Sequence, residues 1–363
     1  MANKLKIGIT AGDVNGIGYE VILKAFEDEG MLEFCTPVVY GSPKVATYHR
    51  KAIGSETNFC IADSAQSAQP DRLNIVNCNA DEVKVELGTV SEESGRAALQ
   101  ALQRAVEEYR NGYIDAIVTA PVCKSAIHSD AFAFPGQTEF FEHELGEGRK
   151  ALMILMNDSM RVALATVHEP VAKVASLLSK DMIKEKIAAL NDSLKRDFRI
   201  EIPEIAVLAL NPHAGDNGLL GAEENEIISP AIQEMSAEGI KCFGPFPADG
   251  FFGSGDHKKF DAILAMYHDQ GLIPLKLCAM DEGVNFTAGL PVVRTSPDHG
   301  TAFDIAGQGI ASEQSFRQAV YAAIDIVRAR RNEDYIHRNP LRKQYFDRRD
   351  DSDKLRFDTP DEG

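Results

Sequence analysis

The sequence predicts an α/β protein that keeps its chemistry at the C-terminal edge of a largely buried sheet. Three observations lead there. Apolar runs of strand length alternate with amphipathic stretches of helix length. One such run, Ala262 to Tyr267, ends abruptly in His268, Asp269, Gln270 and Gly271, so a buried strand delivers polar, metal-competent side chains to a sheet edge. The chain also opens with a strand, a glycine-rich loop and a helix. Its 363 residues suffice for two domains, or for one large lobe split by a cleft.

Composition narrows the class. A 44% hydrophobic and 26% charged sequence is that of an ordinary soluble globular protein. It has no apolar run of about 18 residues, and its N-terminus leads straight into a strand, so a cytoplasmic protein without a membrane partner is expected. A net charge of −17, with no Lys/Arg block and no Trp, argues against nucleic acid, and any anionic substrate must be held by local positive charge. The six cysteines include no CxxC pair and are read as reduced thiols.

The elements follow in order. Lys4 to Thr10 reads as the first strand, Ala11 to Gly18 as the glycine-rich loop, and Tyr19 to Glu29 as a helix. The loop spacing is G-x-x-x-G-x-G, neither a Rossmann fingerprint nor a Walker loop; it either brings backbone close to a ligand or is a tight turn with none. Pro37 to Ser42 is a second strand, followed by a helix to Ala52, a short strand near Phe59 to Ile61 and a polar loop from Ser64 to Asp71. Ser91 to Gly112 carries Ala98, Leu99, Leu102 and Ala105 on one helical face. The strand Ile114 to Thr119 runs into Lys124, either an anion ligand or a solvated surface side chain. Phe134 to Phe141 is a turn opening a helix, with Thr138 as its cap or an anion contact. Strands are expected at Ala151 to Met156, Val162 to Val167 and Ile205 to Leu210, with helices over Lys180 to Phe198 and Glu224 to Glu238. Gly244 to Gly250, with two prolines, reads as a loop. Val284 to Thr287 and Pro291 to Thr295 are strand-like, Ser312 to Arg331 is a closing helix, and the charged stretch from Arg342 to Gly363 is expected to be frayed.

His168, His213 and His268 share one context, each at or just beyond the end of an apolar strand. One such histidine is usually a hydrogen-bonded structural residue, but three at strand ends can converge on a catalytic divalent metal with an open position. Asp249 and Asp269 are available as further ligands or as acceptors that orient the imidazoles. Downstream, Lys276, Asn285 and Arg294 either hold a phosphate, with Arg supplying a two-pronged fork, or are unrelated surface residues.

Several motifs then occur together and in order. They are Gly12-Asp13 with Gly16-Ile17-Gly18, Thr119-Ala120-Pro121 with Lys124, Gly136 with Thr138-Glu139-Phe140, and Asn211-Pro212-His213-Ala214-Gly215. After these come Tyr267-His268-Asp269-Gln270-Gly271 and Arg294-Thr295-Ser296 with Asp298-His299-Gly300-Thr301-Ala302. In this combination, from about residue 5 to about residue 330, the chain resembles the 4-hydroxythreonine-4-phosphate dehydrogenase family of vitamin B6 biosynthesis.

The resemblance implies two α/β/α lobes around a central cleft, a fold shared with the isocitrate and isopropylmalate dehydrogenases rather than a Rossmann fold. It places residues 1–135 and 300–345 in one lobe, 136–299 in the other, with metal-binding and dimer-forming elements, and 346–363 in a charged tail. It implies a homodimer with shared active sites, a metal on His168, His213 and His268, and substrate on Gln137, Thr138, Lys276, Asn285 and Arg294. NAD or NADP would bind His299, Gly300, Thr301 and Asp304, and the hydroxyl proton would fall to Lys276, Asp249, Asp269 or metal-bound water. Zinc is the first candidate metal, followed by magnesium, manganese and cobalt.

The implied reaction oxidises 4-phosphooxy-L-threonine at its C3 hydroxyl, and the β-keto acid then loses CO₂ to give 3-amino-2-oxopropyl phosphate. Gln137 stands where the family usually has His, so one substrate contact cannot become cationic. Val14, Asn15 and Tyr19 also replace the usual Pro, Ala and Pro. The same chemistry on 4-phospho-D-erythronate or 4-phospho-D-threonate is therefore an alternative. A phosphate acyltransferase is the alternative from another class.

Overall fold

The computed structural model describes residues 4–79, 83–278 and 281–338, so the charged C-terminal tail lies outside the described residues. Twelve strands form one sheet: β1 Leu5–Thr10, β2 Cys35–Gly41, β3 Phe59–Ala62, β4 Leu73–Asn77, β5 Ala116–Thr119, β6 Leu152–Met156, β7 Arg161–Leu164, β8 Glu204–Leu208, β9 Lys241–Phe246, β10 Ala262–Ala265, β11 Val284–Ala288 and β12 Arg294–Pro297. Their order is β3-β4-β2-β1-β5-β12-β11-β6-β7-β10-β8-β9. β2 and β10 are buried along their whole length, which is why they read as continuous apolar runs rather than as alternating ones.

Strand direction divides the sheet. β3, β4, β2, β1, β5 and β12 are mutually parallel, as are β7, β10, β8 and β9. Between them β11 runs antiparallel to both β12 and β6, and β6 runs antiparallel to β7, so the two parallel halves point opposite ways. Through this centre the register places Asn285 opposite Leu155 and Ser296, and Thr287 opposite Met153 and Arg294. These side chains therefore share one face of the sheet. On the other face the long helix Gln314–Arg338 packs with buried Phe316, Ala319, Val320 and Ala323, and Thr295 donates to the Ala319 carbonyl at 2.7 Å.

Several elements differ from the sequence reading. Gly244 to Phe246, expected as loop, ends β9; an outermost strand whose register with β8 shifts at this point tolerates Pro245. The stretch after His268, given no element by the sequence, is a helix, His268–Cys278, despite the Gly271 and Pro274 inside it. Gly271 is there for packing, since a Cβ would stand 2.5 Å from Val162 Cγ1 and 2.9 Å from the Ala265 methyl. Ala248 to Gly250, also expected as loop, opens the helix Ala248–Gly253, while strand β4 and the helix Val171–Leu177 are short and weakly patterned and carry no sequence signal.

The glycine-rich loop is a tie within the protein. Residues 11–18 are buried, the Asp13 N–H donates to the Pro121 carbonyl and the Ile17 N–H to the Thr301 carbonyl, both at 3.0 Å. Asn15 Oδ1 accepts from the Glu86 N–H at 2.7 Å, while its Nδ2 donates to the Thr89 carbonyl. These contacts tie the loop to the segment that begins at His299. A Cβ on Gly16 would meet the Thr301 carbonyl oxygen at 2.8 Å. Gly16→Ala should therefore lower unfolding stability by about 1–3 kcal/mol in urea titrations; an unchanged midpoint would show that the two loops are not tightly packed.

Candidate active site

A cleft of about 990 Å³ lies over the centre of the sheet, where strand direction reverses. Its floor is the common face of the central strands, with Met153 and Leu155 of β6, Asn285 of β11, and Arg294 and Ser296 of β12. One wall comes from the end of β5 and the chain just beyond it, including Thr119, Lys124, Gln137, Thr138 and Glu139. The other comes from His168 beyond β7, and from His268 and Lys276 on the helix after β10. Asp298, His299 and Gly300 close the end beyond β12.

Arg294 is the centre of its electrostatics. Its side chain sits in the floor with the residue only 3% exposed, yet among the described residues no carboxylate pairs with it. Its fork donates instead to neutral oxygens: Thr119 Oγ1 at 2.6 Å, Thr287 Oγ1 at 3.2 Å and Gln137 Oε1 at 3.4 Å. The guanidinium also stands 5.7 Å over the Phe141 ring, and its Nε–H has no partner. Burial brings its pKa down to about 10, with Glu139 pulling the other way, so it stays cationic at neutral pH. A buried, uncompensated cation with a spare donor at the floor of a cleft suits an anion.

Two more buried polar atoms in the same cleft lack partners, Asn285 Oδ1 and His299 Nε2. His299 uses its other nitrogen against the Gly300 carbonyl at 3.1 Å, and burial lowers its pKa. Lys276 reaches Asp298 at 3.2 Å. Burial raises the Asp298 pKa, and Lys276 opposes that shift.

His168 and His268 stand side by side, with ring centroids 5.9 Å apart. His268 Nδ1 lies 2.7 Å from Asp269 Oδ1; donation from Nδ1 to that carboxylate leaves the Nε2 lone pair free. Burial lowers the His168 pKa, and Lys124 and His268 push the same way, which favours the neutral, ligating form. This half of a metal site fits. Among the described residues, however, no group of three or more His, Cys, Asp or Glu stands close enough to hold a metal ion. His213 is exposed on the turn after β8 and does not line the cleft. It begins a run of left-handed backbone in which His213, Ala214, Gly215, Asp216 and Asn217 all have positive φ, a conformation that costs a non-glycine residue roughly 1–2 kcal/mol.

The remaining candidates divide. Gln137, Thr138, Lys276, Asn285, Arg294, His299 and Gly300 line the cleft. Asp249 is exposed in the first turn of helix Ala248–Gly253, outside the cleft; Asp304 is exposed, and Thr301 is engaged with the glycine loop. Thr138 does not cap its helix, because Gly136 holds that position and Thr138 lies inside the first turn. Glu139 and Asp298 escape sequence reasoning. Asp298 directly precedes the His299-Gly300-Thr301 motif, but only the folded chain shows that it faces Lys276.

Fold and site together define an α/β enzyme with a buried guanidinium in a cleft at the reversal of its sheet and paired imidazoles on one wall. Residues 33–323 match the family described as "Pyridoxal phosphate biosynthetic protein PdxA". A protein named 4-hydroxythreonine-4-phosphate dehydrogenase from Bacteroides thetaiotaomicron is 61% identical, over 99% of each chain. One of the same name from Prosthecochloris aestuarii is 42% identical over 87% of this chain and 96% of its own. A relative from Oceanobacillus iheyensis, provisionally named D-threonate 4-phosphate dehydrogenase, is 37% identical over 90% of this chain and 99% of its own. Among solved structures, the 4-hydroxythreonine-4-phosphate dehydrogenase of Klebsiella pneumoniae superposes with a TM-score of 0.78 at 34% identity, covering 90% of this chain and 98% of that one. The chain belongs to the PdxA family, and it is an oxidoreductase. Among the described residues no helix is long and apolar enough to cross a membrane.

The His168 shift carries a pH signature. Its folded pKa lies below the ordinary value of about 6.5, so as pH falls through that value the unfolded chain takes up the proton first and stability is lost. In metal-free protein, His168→Asn should therefore close its stability gap to the parent chain, or reverse it, between pH 7.5 and pH 5.5 in urea titrations. A gap independent of pH would contradict the buried, neutral imidazole.

Proposed function

We propose that this chain oxidises 4-phosphooxy-L-threonine at its C3 hydroxyl, giving 2-amino-3-oxo-4-phosphooxybutanoate, which loses CO₂ to yield 3-amino-2-oxopropyl phosphate for pyridoxal phosphate synthesis. The observation that carries this reading is Arg294, a buried cation with no carboxylate partner among the described residues, in the floor of the cleft that also holds the paired imidazoles. The substrate phosphate would bind there, with Thr138, Lys276 and Asn285 completing its contacts and Gln137 supplying a neutral one. Thr119 and Thr287 hold the guanidinium through neutral oxygens, so its charge is left for the substrate.

A divalent cation bound in the cleft (zinc first, or magnesium, manganese or cobalt) would supply a Lewis acid to lower the pKa of the substrate hydroxyl, and NAD or NADP would supply the hydride acceptor. His168 and His268 would hold the cation, with Asp269 fixing the His268 ring. His213, outside the cleft of its own chain, would complete the set from a second copy in a cytoplasmic homodimer. His299, Gly300, Thr301 and Asp304 would hold the nicotinamide cofactor. The hydroxyl proton would pass to the Asp298 carboxylate that faces Lys276, with the Lys276 ammonium holding that carboxylate in position, and Asp249 would act only from the partner's side. Decarboxylation then returns a proton to C2.

A second reading rests on Gln137. A neutral amide in place of the family's usual His suits 4-phospho-D-threonate or 4-phospho-D-erythronate under the same chemistry. Metal-supplemented assays with NAD and NADP should show nicotinamide reduction with 4-phosphooxy-L-threonine and none with unphosphorylated threonine. Negligible turnover of that substrate beside rapid turnover of a phosphorylated sugar acid would transfer the reading, and acyl transfer to phosphate without nicotinamide reduction would end it. Arg294→Lys keeps the charge but loses the fork; it should raise KM about 100-fold, roughly 2.7 kcal/mol, with a smaller change in kcat. An unchanged KM would exclude Arg294 from substrate binding.

A further inference from the structure

We infer that Glu224 is the positioning residue for His213, its buried carboxylate holding the left-handed turn that sets where the imidazole stands. The inference rests on the reading of His213 as a metal ligand. Residues 213–217 have φ of 54°, 51°, 78°, 43° and 56°, and Gly215 is the one glycine among them. The four other positions therefore adopt a conformation that L side chains avoid, and a turn of this kind persists only where its surroundings impose it.

Glu224 is the group that does so. It is 2% exposed, and none of the ion pairs among the described residues involves it. Its Oε1 accepts from the Leu210 N–H at 2.9 Å and the Asn211 N–H at 2.7 Å, and its Oε2 accepts from Asn211 Nδ2 at 3.0 Å. All three donors belong to the two residues just before Pro212 and His213. The carboxylate also fills the inside of the turn, since a Cβ on Gly215 would stand 2.6 Å from Oε2. The turn closes where the Leu220 N–H donates to the Gly215 carbonyl at 3.0 Å. Behind Glu224, Ile228, Ala231, Ile232 and Met235 are buried in the core, so the carboxylate is fixed to a rigid element. Rigid helix, carboxylate, turn and imidazole thus form one chain of contacts.

A Gln at this position keeps one oxygen for the two backbone donors but sets an NH₂ against Asn211 Nδ2. Asn211 has no free alternative, because its Nδ2 also donates to Glu223 Oε2 at 2.8 Å. The test uses the full chain, with zinc alone as the probe, titrated against a chromophoric chelator, and melting curves of the metal-free protein alongside. Glu224→Ala should weaken zinc binding about 10- to 100-fold, Glu224→Gln by about 3-fold or more, and the double variant Glu224→Ala with His213→Ala should bind no more weakly than His213→Ala alone. Zinc affinity within twofold of the parent in both Glu224 variants would overturn the inference, as would a double variant in which the two losses add. If Glu224→Ala does not fold, Glu224→Gln decides in the same way. Failure of the underlying reading looks different: His213→Ala itself would then bind zinc as the parent does.

Discussion

The reversal of strand direction at the middle of the sheet is the constraint on which the site depends. Two parallel halves run in opposite directions, joined by the antiparallel ladders of β11 and β6. On a flat sheet the end of β5 and the end of β7 would leave at opposite edges. Four strand steps separate them, and a twist of roughly −20 to −25° per step turns one half by about 80–100° against the other. Both sets of strand ends then reach the same face of the central strands, and Lys124 and His168 line one cleft. The opposite face is filled by the helix Gln314–Arg338, whose contacts with Thr295 hold β12 and thereby Arg294 in register.

Within that cleft the charges are arranged against the sign of the whole molecule. The chain carries a net −17, yet among the described residues Arg294 in the floor is hydrogen-bonded only to neutral oxygens, with Glu139 acting on it through space. Among the described residues, the carboxylate engaged with a cleft lysine is Asp298, whose pKa burial raises and Lys276 lowers. Local positive potential in an acidic protein is thus built by burying a guanidinium and withholding its counter-ion, rather than by accumulating cations. The same principle governs the imidazoles, where burial and the nearby Lys124 favour a neutral His168 and one carboxylate orients His268.

Much of this was legible before folding. The unit of β1, loop and helix, the buried strands β2 and β10, the long helices at 92–110 and 180–198 and the closing helix all follow from periodicity and apolar runs. The edge strand β9 and the helix after His268 were hidden by Pro245, Gly271 and Pro274, residues whose ordinary meaning is a break. In each case the tertiary setting outweighed propensity: an outermost strand whose register shifts tolerates Pro245, and β7 pressed so close that only glycine fits at 271.

The sequence by itself determined the residue types and their order along the chain: three histidines at or just beyond the ends of apolar strands, with a lysine, an asparagine and an arginine downstream. Local pattern suffices for that, because alternation and termination are encoded within a few residues. Only the tertiary structure decided which of them meet. His168 and His268 become neighbours because β7 and β10 pair, Lys276 finds Asp298 because β12 ends beside the helix after β10, and His213 is carried outside the cleft by a left-handed turn. The stretch from Ala262 to Gly271 shows the division: its apolar residues and its His-Asp pair announce a strand end with chemistry, whereas the partner of that histidine is chosen by a strand about a hundred residues away.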